Sequence, residues 1–315
     1  MQLKMQSFHK QILLVLLLPL FFGASTHTAA NNSDTSSIYK HRQRNLIYAE
    51  VGSGLAIHSG LYFAWYSQYQ MGKFHFIDDS REWLQMDKLG HAYSAYYLGV
   101  MANEAGKWAG FSQKHAAMNG LFVGIGFQTL IEVLDGFSSG WGASISDIGA
   151  NTAGSLLFYT QARTWDEQRF TLKYNFFQSQ YASLRPNVLG KRLHQEFLKD
   201  YNGQAYWLSF NPLNIIGKQS QFFPDWLNIS LGYGASGMLG GFSNNWVSNN
   251  TTFDYTHIPR YRQYYLSADI NWLKLLKPKK HWSRLLCTAL NAVKVPFPTL
   301  EYNTFDKRIH GLWLR

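Results

Sequence analysis

Hydrophobic and polar positions divide the chain into two patterns. Over residues 46–70, 88–108, 114–134 and 147–163, apolar and small residues run almost unbroken, and this predicts four helices. Residues 116–134 carry a single charge, Glu132. That segment is long enough to cross a bilayer, and a buried hairpin of a soluble bundle would read the same way. Gly120, Gly124 and Gly126 on it predict close approach of a neighbouring helix.

After Trp165 the period changes to two. Residues 169–176, 205–210, 227–233, 261–271 and 309–314 alternate as strands do. In 261–271 one face carries Tyr261, Gln263, Tyr265, Ser267 and Asp269, and the other Arg262, Tyr264, Leu266, Ala268 and Ile270. Alternation with this many aromatics has the character of outer-membrane strands. About five to seven recognisable strands are nevertheless fewer than the eight that such a barrel needs. The expectation is a small twisted sheet packed on the helices, or a barrel completed by strands that the pattern does not reveal. Further helices are predicted near 188–199 and 282–293, and 237–250 reads as a Gly-, Ser- and Asn-rich loop. The fold class is therefore α+β: an N-terminal, membrane-associated helical bundle of about four helices, then a β-rich C-terminal region.

The first thirty residues read as a secretory signal. Lys4 and Lys10 precede an apolar core at 12–22, and Thr28 and Ala30 suit a cleavage site. An uncleaved N-terminal anchor is the alternative. The organisation expected is a signal peptide at 1–30, a linker at 31–44 (with 31–37 flexible), a helical module at 45–165 and a β-rich region at 166–315. Loss of Lys4 and Lys10 lowers the formal charge from +10 to +8. In an exported protein a basic balance points to anionic lipid head groups or lipopolysaccharide rather than nucleic acid; ordinary solubility charge would look the same. Charged residues make up 15% and aromatics 17%, below and above common usage, as expected for a surface against lipid. Cys287 is the single cysteine, so no intrachain disulfide can form.

Ionisable residues stand out in the helical half because so few are present. Burying one without a partner costs several kcal/mol. Asp87 and His91 are four apart and share a helix face; Asp87 could orient His91 as a general base, or simply cap the helix. Glu132 and Asp135 lie three apart, where paired carboxylates suit acid–base work or cation binding. Asp135-Gly136 also reads as a helix end. Ser144 and Asp147 fit a capping box, with Asn151 one turn on. An up-down bundle places all of these at one end. Asp87, His91, Glu132, Asp135 and Asp147 are thus the candidate catalytic residues, with the last three as acids or metal ligands. No cofactor and no particular metal is implied, and the motifs of serine hydrolases, zinc proteases, thiol redox centres and phosphate loops are absent.

The motifs D-K-x-x-H (Asp87 to His91), E-x-x-D-G (Glu132 to Gly136) and S-x-x-D-x-x-x-N (Ser144 to Asn151) resemble the YfiM-like predicted periplasmic lipoproteins, a family of unknown function. Their order is loosely similar to VanZ-like membrane proteins. Residues 181–190, 200–209 and 260–267 resemble the long Bacteroidota-type members. No lipobox cysteine is present, so lipid modification does not transfer. The resemblance implies an envelope location and no mechanism; the expected localisation is a periplasm-facing membrane association, with the outer membrane as one of the two membranes open to it. Two function classes stay open. One is a non-enzymatic envelope component that meets membrane lipid. The other is a hydrolase or transferase acting on an anionic envelope lipid or glycan, with His91 as base. Protein partners are not legible.

Overall fold

The computed structural model describes residues 32–312, apart from Gln68, Gln219, Gln221 and Asn249. The expected signal peptide lies outside the described residues, as does the end of the strand expected at 309–314. The architecture is α+β, with helices in the N-terminal half and sheet in the C-terminal region.

Helix α1 (Asn32–Leu61) passes into a π-helical turn (Tyr62–Tyr66). The stretch expected as a linker at 31–44 is therefore helical from Asn32 on, and Gln43 within it donates to Gly110 O; just beyond it Leu46 packs beside Ala105 and Ala109. Then follow α2 (Met86–Trp108), α3 (Gln113–Phe137) and α4 (Ile145–Thr164), close to the bounds that periodicity predicts. Helix α2 is the centre of the molecule. Backbone closeness explains the small residues around it. A Cβ at Gly124 would lie 2.8 Å from the Ala95 carbonyl, and one at Gly154 2.0 Å from that of Ala92. Gly126, expected to act likewise, faces open space. Helix α3 is the one helix among the described residues long and apolar enough to cross a membrane, and 39% of its apolar window is buried. The rest of its surface shows Phe122, Leu130, Val133 and Phe137.

Two short strands, β1 (Phe76–Ile77) and β2 (Ala143–Ser144), pair in parallel between the helices. The main sheet is antiparallel, in the order β10-β9-β8-β5-β4-β3, from β3 (Phe170–Phe176), β4 (Gln204–Phe210), β5 (Leu227–Ser236), β8 (Tyr261–Ile270), β9 (Thr299–Asn303) and β10 (Arg308–Leu312). Strand β9 lacks a clear alternation signal. Within the expected loop at 237–250, Asn245–Ser248 forms β6, which pairs with β7 (Thr251–Asp254) as a hairpin. The helix expected near 188–199 is two short ones, Pro186–Leu189 and Leu193–Lys199, broken at Gly190 (φ 113°). Helix α5 (His281–Asn291) matches the expected segment. The chain after it pairs Val293 with Tyr174 on the edge of β3.

The register produces ladders of like residues. Leu172, Leu208, Leu231, Leu266 and Leu300 form one cross-strand row, and Tyr174, Tyr206, Tyr233, Tyr264 and Tyr302 the next. Both rows lie on one face. The opposite face carries Thr171, Ser209, Ser230, Ser267 and Thr299, all buried. Helix α2 covers the Leu/Tyr face only over its first strands, where Tyr93 packs on Tyr174 and Tyr206. Beyond them, Leu231, Leu266 and Leu300 are 45–51% exposed.

Candidate functional site

The site begins at a strained turn. Trp83, Leu84 and Gln85 have φ of 50°, 50° and 67°, three successive non-glycine residues in the left-handed region, which costs roughly 1–2 kcal/mol per residue. The β region holds them there. The Trp83 N–H donates to Gly241 O (2.8 Å), the Tyr233 hydroxyl donates to Leu84 O, and Arg262 donates to Gln85 Oε1 (2.8 Å). Trp83 also packs on Tyr201. Helix α2 starts immediately afterwards, so the sheet sets how Asp87, Lys88 and His91 enter the bundle.

Lys88 is the hub. Its Nζ lies 2.8 Å from Asp79 Oδ1, 2.8 Å from Asp87 Oδ2 and 2.7 Å from Asp147 Oδ1. The β1–β2 pairing puts Ile77 opposite Ser144, and this brings Asp79 to the start of α4. There Asp79 accepts hydrogen bonds from the Ser144 and Ser146 hydroxyls. Ser144 also caps α4 by accepting the Asp147 N–H (3.1 Å), and its own N–H donates to Glu132 Oε2 on α3 (3.0 Å). The reciprocal half of the expected capping box is thus supplied by another helix.

His91 is fully buried. Its Nδ1 is 3.1 Å from Asn151 Oδ1 and 3.7 Å from Glu132 Oε1, and its Nε2 is 3.7 Å from Asp147 Oδ2. Among these contacts Asp87 turns to Lys88 and Asn151 accepts from the imidazole, while the charge of Asp87 still acts to raise the proton affinity of His91. Capping does not explain Asp87 either, because Gln85 is the N-cap of α2 and makes no side-chain cap. Asp135 sits at the rim, where its Oδ1 accepts the Tyr66 hydroxyl. Helix α3 runs on past it to Phe137, and Gly136 makes room for the Phe74 ring rather than capping the helix.

The five sequence candidates therefore lie around one buried centre, joined by Lys88, Asp79, Ser144 and Asn151. Lys88 and Asp79 have roles that sequence reading missed. The only hint for Lys88 was its place within D-K-x-x-H; Asp79, in an ordinary-looking turn, gave none.

Burial dominates the electrostatics. It pushes the Asp87 and Asp147 carboxyls up to about 7 against the pull of Lys88. It pushes Glu132, with Asp147 and Asp135 nearby, up to about 9. Burial lowers His91 to about 4, and Lys88 adds to that. Asp79 is the exception: burial raises it, but Lys88 and the serine hydroxyls outweigh that and hold it down at about 2. Burial alone would also lower Lys88, yet its three carboxylates hold its proton well above the usual lysine range. The cluster can store protons, exchange them near neutral pH, or take a cation.

Fold and cluster together define an α+β protein with a charged centre walled by apolar helices. Residues 75–161, from the start of β1 almost to the end of α4, match the model of a family described as predicted periplasmic lipoprotein (DUF2279). That match contains the strained turn and every cluster residue named except Tyr66, and it supports a place in the cell envelope, in the periplasm. No curated protein and no solved structure matches the chain.

Proposed function

We propose that this is an exported envelope protein that works against lipid, with the open Leu/Tyr face of its sheet and the bare faces of its helices as the contact. One observation carries the reading: the sheet is turned inside out. Serine and threonine ladders are buried while the leucine ladder is left open on β5, β8 and β9. In water, the Leu/Tyr face would be expected to be the covered one. Apolar-out, polar-in strands with a tyrosine row suit a hydrocarbon boundary, and this pattern favours the outer membrane. Six strands are too few for a closed transmembrane barrel, so the sheet meets lipid with one face. Phe122 and Leu130 on α3, Ile145 and Ile148 on α4, and Trp282 and Leu286 on α5 are exposed apolar residues as well.

The test is the triple substitution Leu231→Ser, Leu266→Ser and Leu300→Ser. Each half-exposed leucine contributes about 1 kcal/mol if lipid covers it, so the triple variant should partition into vesicles of envelope phospholipid about a hundredfold more weakly. Unchanged partitioning would overturn the reading.

A second reading, a hydrolase or transferase acting on an anionic envelope lipid or glycan, is favoured by the centre itself. Asp87 and Asp147 would exchange protons near neutral pH, Glu132 would hold its proton as an acid, and Lys88 is a cation among the carboxylates. His91 would act as base with Asn151 as its orienter. Loss of turnover in His91→Ala with the fold retained would support it.

A further inference from the structure

We propose that His91, Glu132 and Asp147 form a binding site for one divalent transition-metal ion. One donor atom from each lies within 4.8 Å of the others, and all three side chains are buried. Asp147 Oδ2 stands 3.7 Å from His91 Nε2, too long for a hydrogen bond but close to the roughly 3.4 Å between two ligands that are each about 2.1 Å from a tetrahedral ion. Glu132 Oε1 lies 3.7 Å from the other ring nitrogen, Nδ1.

The way the side chains are pinned points the same way. Glu132 is held by one oxygen, which accepts the Ser144 N–H, while its buried Oε1 has no hydrogen-bond partner. Asp147 gives Oδ1 to Lys88 and turns Oδ2 toward His91 Nε2. With Nδ1–H donating to Asn151 Oδ1, Nε2 carries the lone pair that a metal needs. A hydrogen bond at the far nitrogen is the usual way in which a ligating histidine is fixed.

Charge decides between two candidate positions. Asp79, Asp87 and Asp147 also have ligand-like spacing, but the Lys88 ammonium already lies within 2.8 Å of all three. Lys88 is the resident cation there. Five clustered carboxyl groups, Asp79, Asp87, Glu132, Asp135 and Asp147, face one lysine, and a dication on the His91 side would offset part of that excess. One imidazole and two carboxylates, with no thiolate in the cluster, suit Zn²⁺ or Mn²⁺.

The experiment uses full-length protein in detergent, stripped with EDTA and titrated separately with Zn²⁺ and Mn²⁺ by calorimetry, with bound metal counted by mass spectrometry. The expected result is one ion of at least one of the two metals per folded chain. Glu132→Gln and His91→Ala should each weaken binding tenfold or more. Glu104→Gln, in a polar pocket against α5, should bind like the wild type. Absence of stoichiometric binding of both ions by the folded wild type overturns the proposal, whatever the variants do. So does wild-type affinity in folded Glu132→Gln and His91→Ala.

Discussion

Lys88 in the helical module and Lys173 in the sheet are both held by acids away from bulk water, and their proton affinities shift in opposite directions. Lys88 meets three carboxylates, and these outweigh burial and raise its hold on a proton. Lys173 meets one, Asp269 at 2.7 Å, with the Ile270 carbonyl beside it. There burial wins and lowers its proton affinity. The residue type is the same; the number of facing acids decides. The sheet interior spreads polarity along ladders: Ser209 donates to Asp269, Asn228 to Ser209, and Gln263 to Glu301. The helical module gathers its acids at one point and leaves Asp87 Oδ1 and Glu132 Oε1 buried without hydrogen bonds. The sheet also leaves buried atoms without hydrogen bonds, Asn228 Oδ1 and Gln263 Oε1 among them, but these belong to neutral amides spread along the strands. A concentrated excess of acid leaves a centre that calls for protons or a cation.

The largest expected effect contrasts the two lysines. Lys88→Met leaves three acids facing one another and should cost about 3–5 kcal/mol near pH 8, the range for stripping one partner from a buried ion pair. Much of that loss should return by pH 6, as the carboxylates take up protons. Lys173→Met strands one carboxylate, which keeps the Ser209 hydroxyl, so it should recover less on acidification. Chemical denaturation of both variants at the two pH values checks this; equal losses with equal pH dependence would remove the contrast.

Next in size is the pH response of the metal-free wild type. Glu132, Asp87 and Asp147 have folded pKa values of about 9, 7 and 7, against ordinary values of 4.5, 3.8 and 3.8. The folded state therefore binds more protons than the unfolded state, and stability falls as pH rises through that window. His91 acts oppositely, but only between about 4 and 6.5. Above pH 7 the acids dominate, with Glu132 the last to lose its proton. The slope is up to about 1.4 kcal/mol per pH unit for one proton. Glu132→Gln should flatten the fall in melting temperature between pH 7 and 9, measured in EDTA.

The smallest effect separates two glycines on one helix. Gly124→Ala should destabilise by roughly 1–3 kcal/mol, because its Cβ meets the α2 backbone. Gly126→Ala should stabilise by about 0.5–1 kcal/mol, since its Cβ enters open space and alanine favours the helix. Thermal melts of the pair would show whether α3 approaches α2 through the face described.

Much of this was legible in the residues. Helices α2 to α4 announce themselves by period and length, and strands β3, β4, β5 and β8 by alternation. Asp87, His91, Glu132, Asp135 and Asp147 stand out because charges are rare in that half. Strand β9 was not legible because it is five residues long and Pro296 and Pro298 run directly into its start. Nor was the role of Lys88: a lysine beside an aspartate reads as a solvated pair, and only the fold brings in Asp79 and Asp147, which meet through the two-residue pairing of β1 with β2.

Local chemistry, then, determined where helices and strands form, because period, cap and turn residues act within a few positions. The tertiary structure decided what those elements face. A period of two separates Tyr264 and Leu266 from Gln263, Tyr265, Ser267 and Asp269, but it is symmetric and does not say which face is covered. Helix α2 reaches only the first strands, so the leucine row beyond them stays open and the serine row is enclosed. The same holds at the cluster. Four acids, one lysine and one histidine acquire their charge states from mutual distance and loss of water, and both are set by packing between segments far apart in the chain.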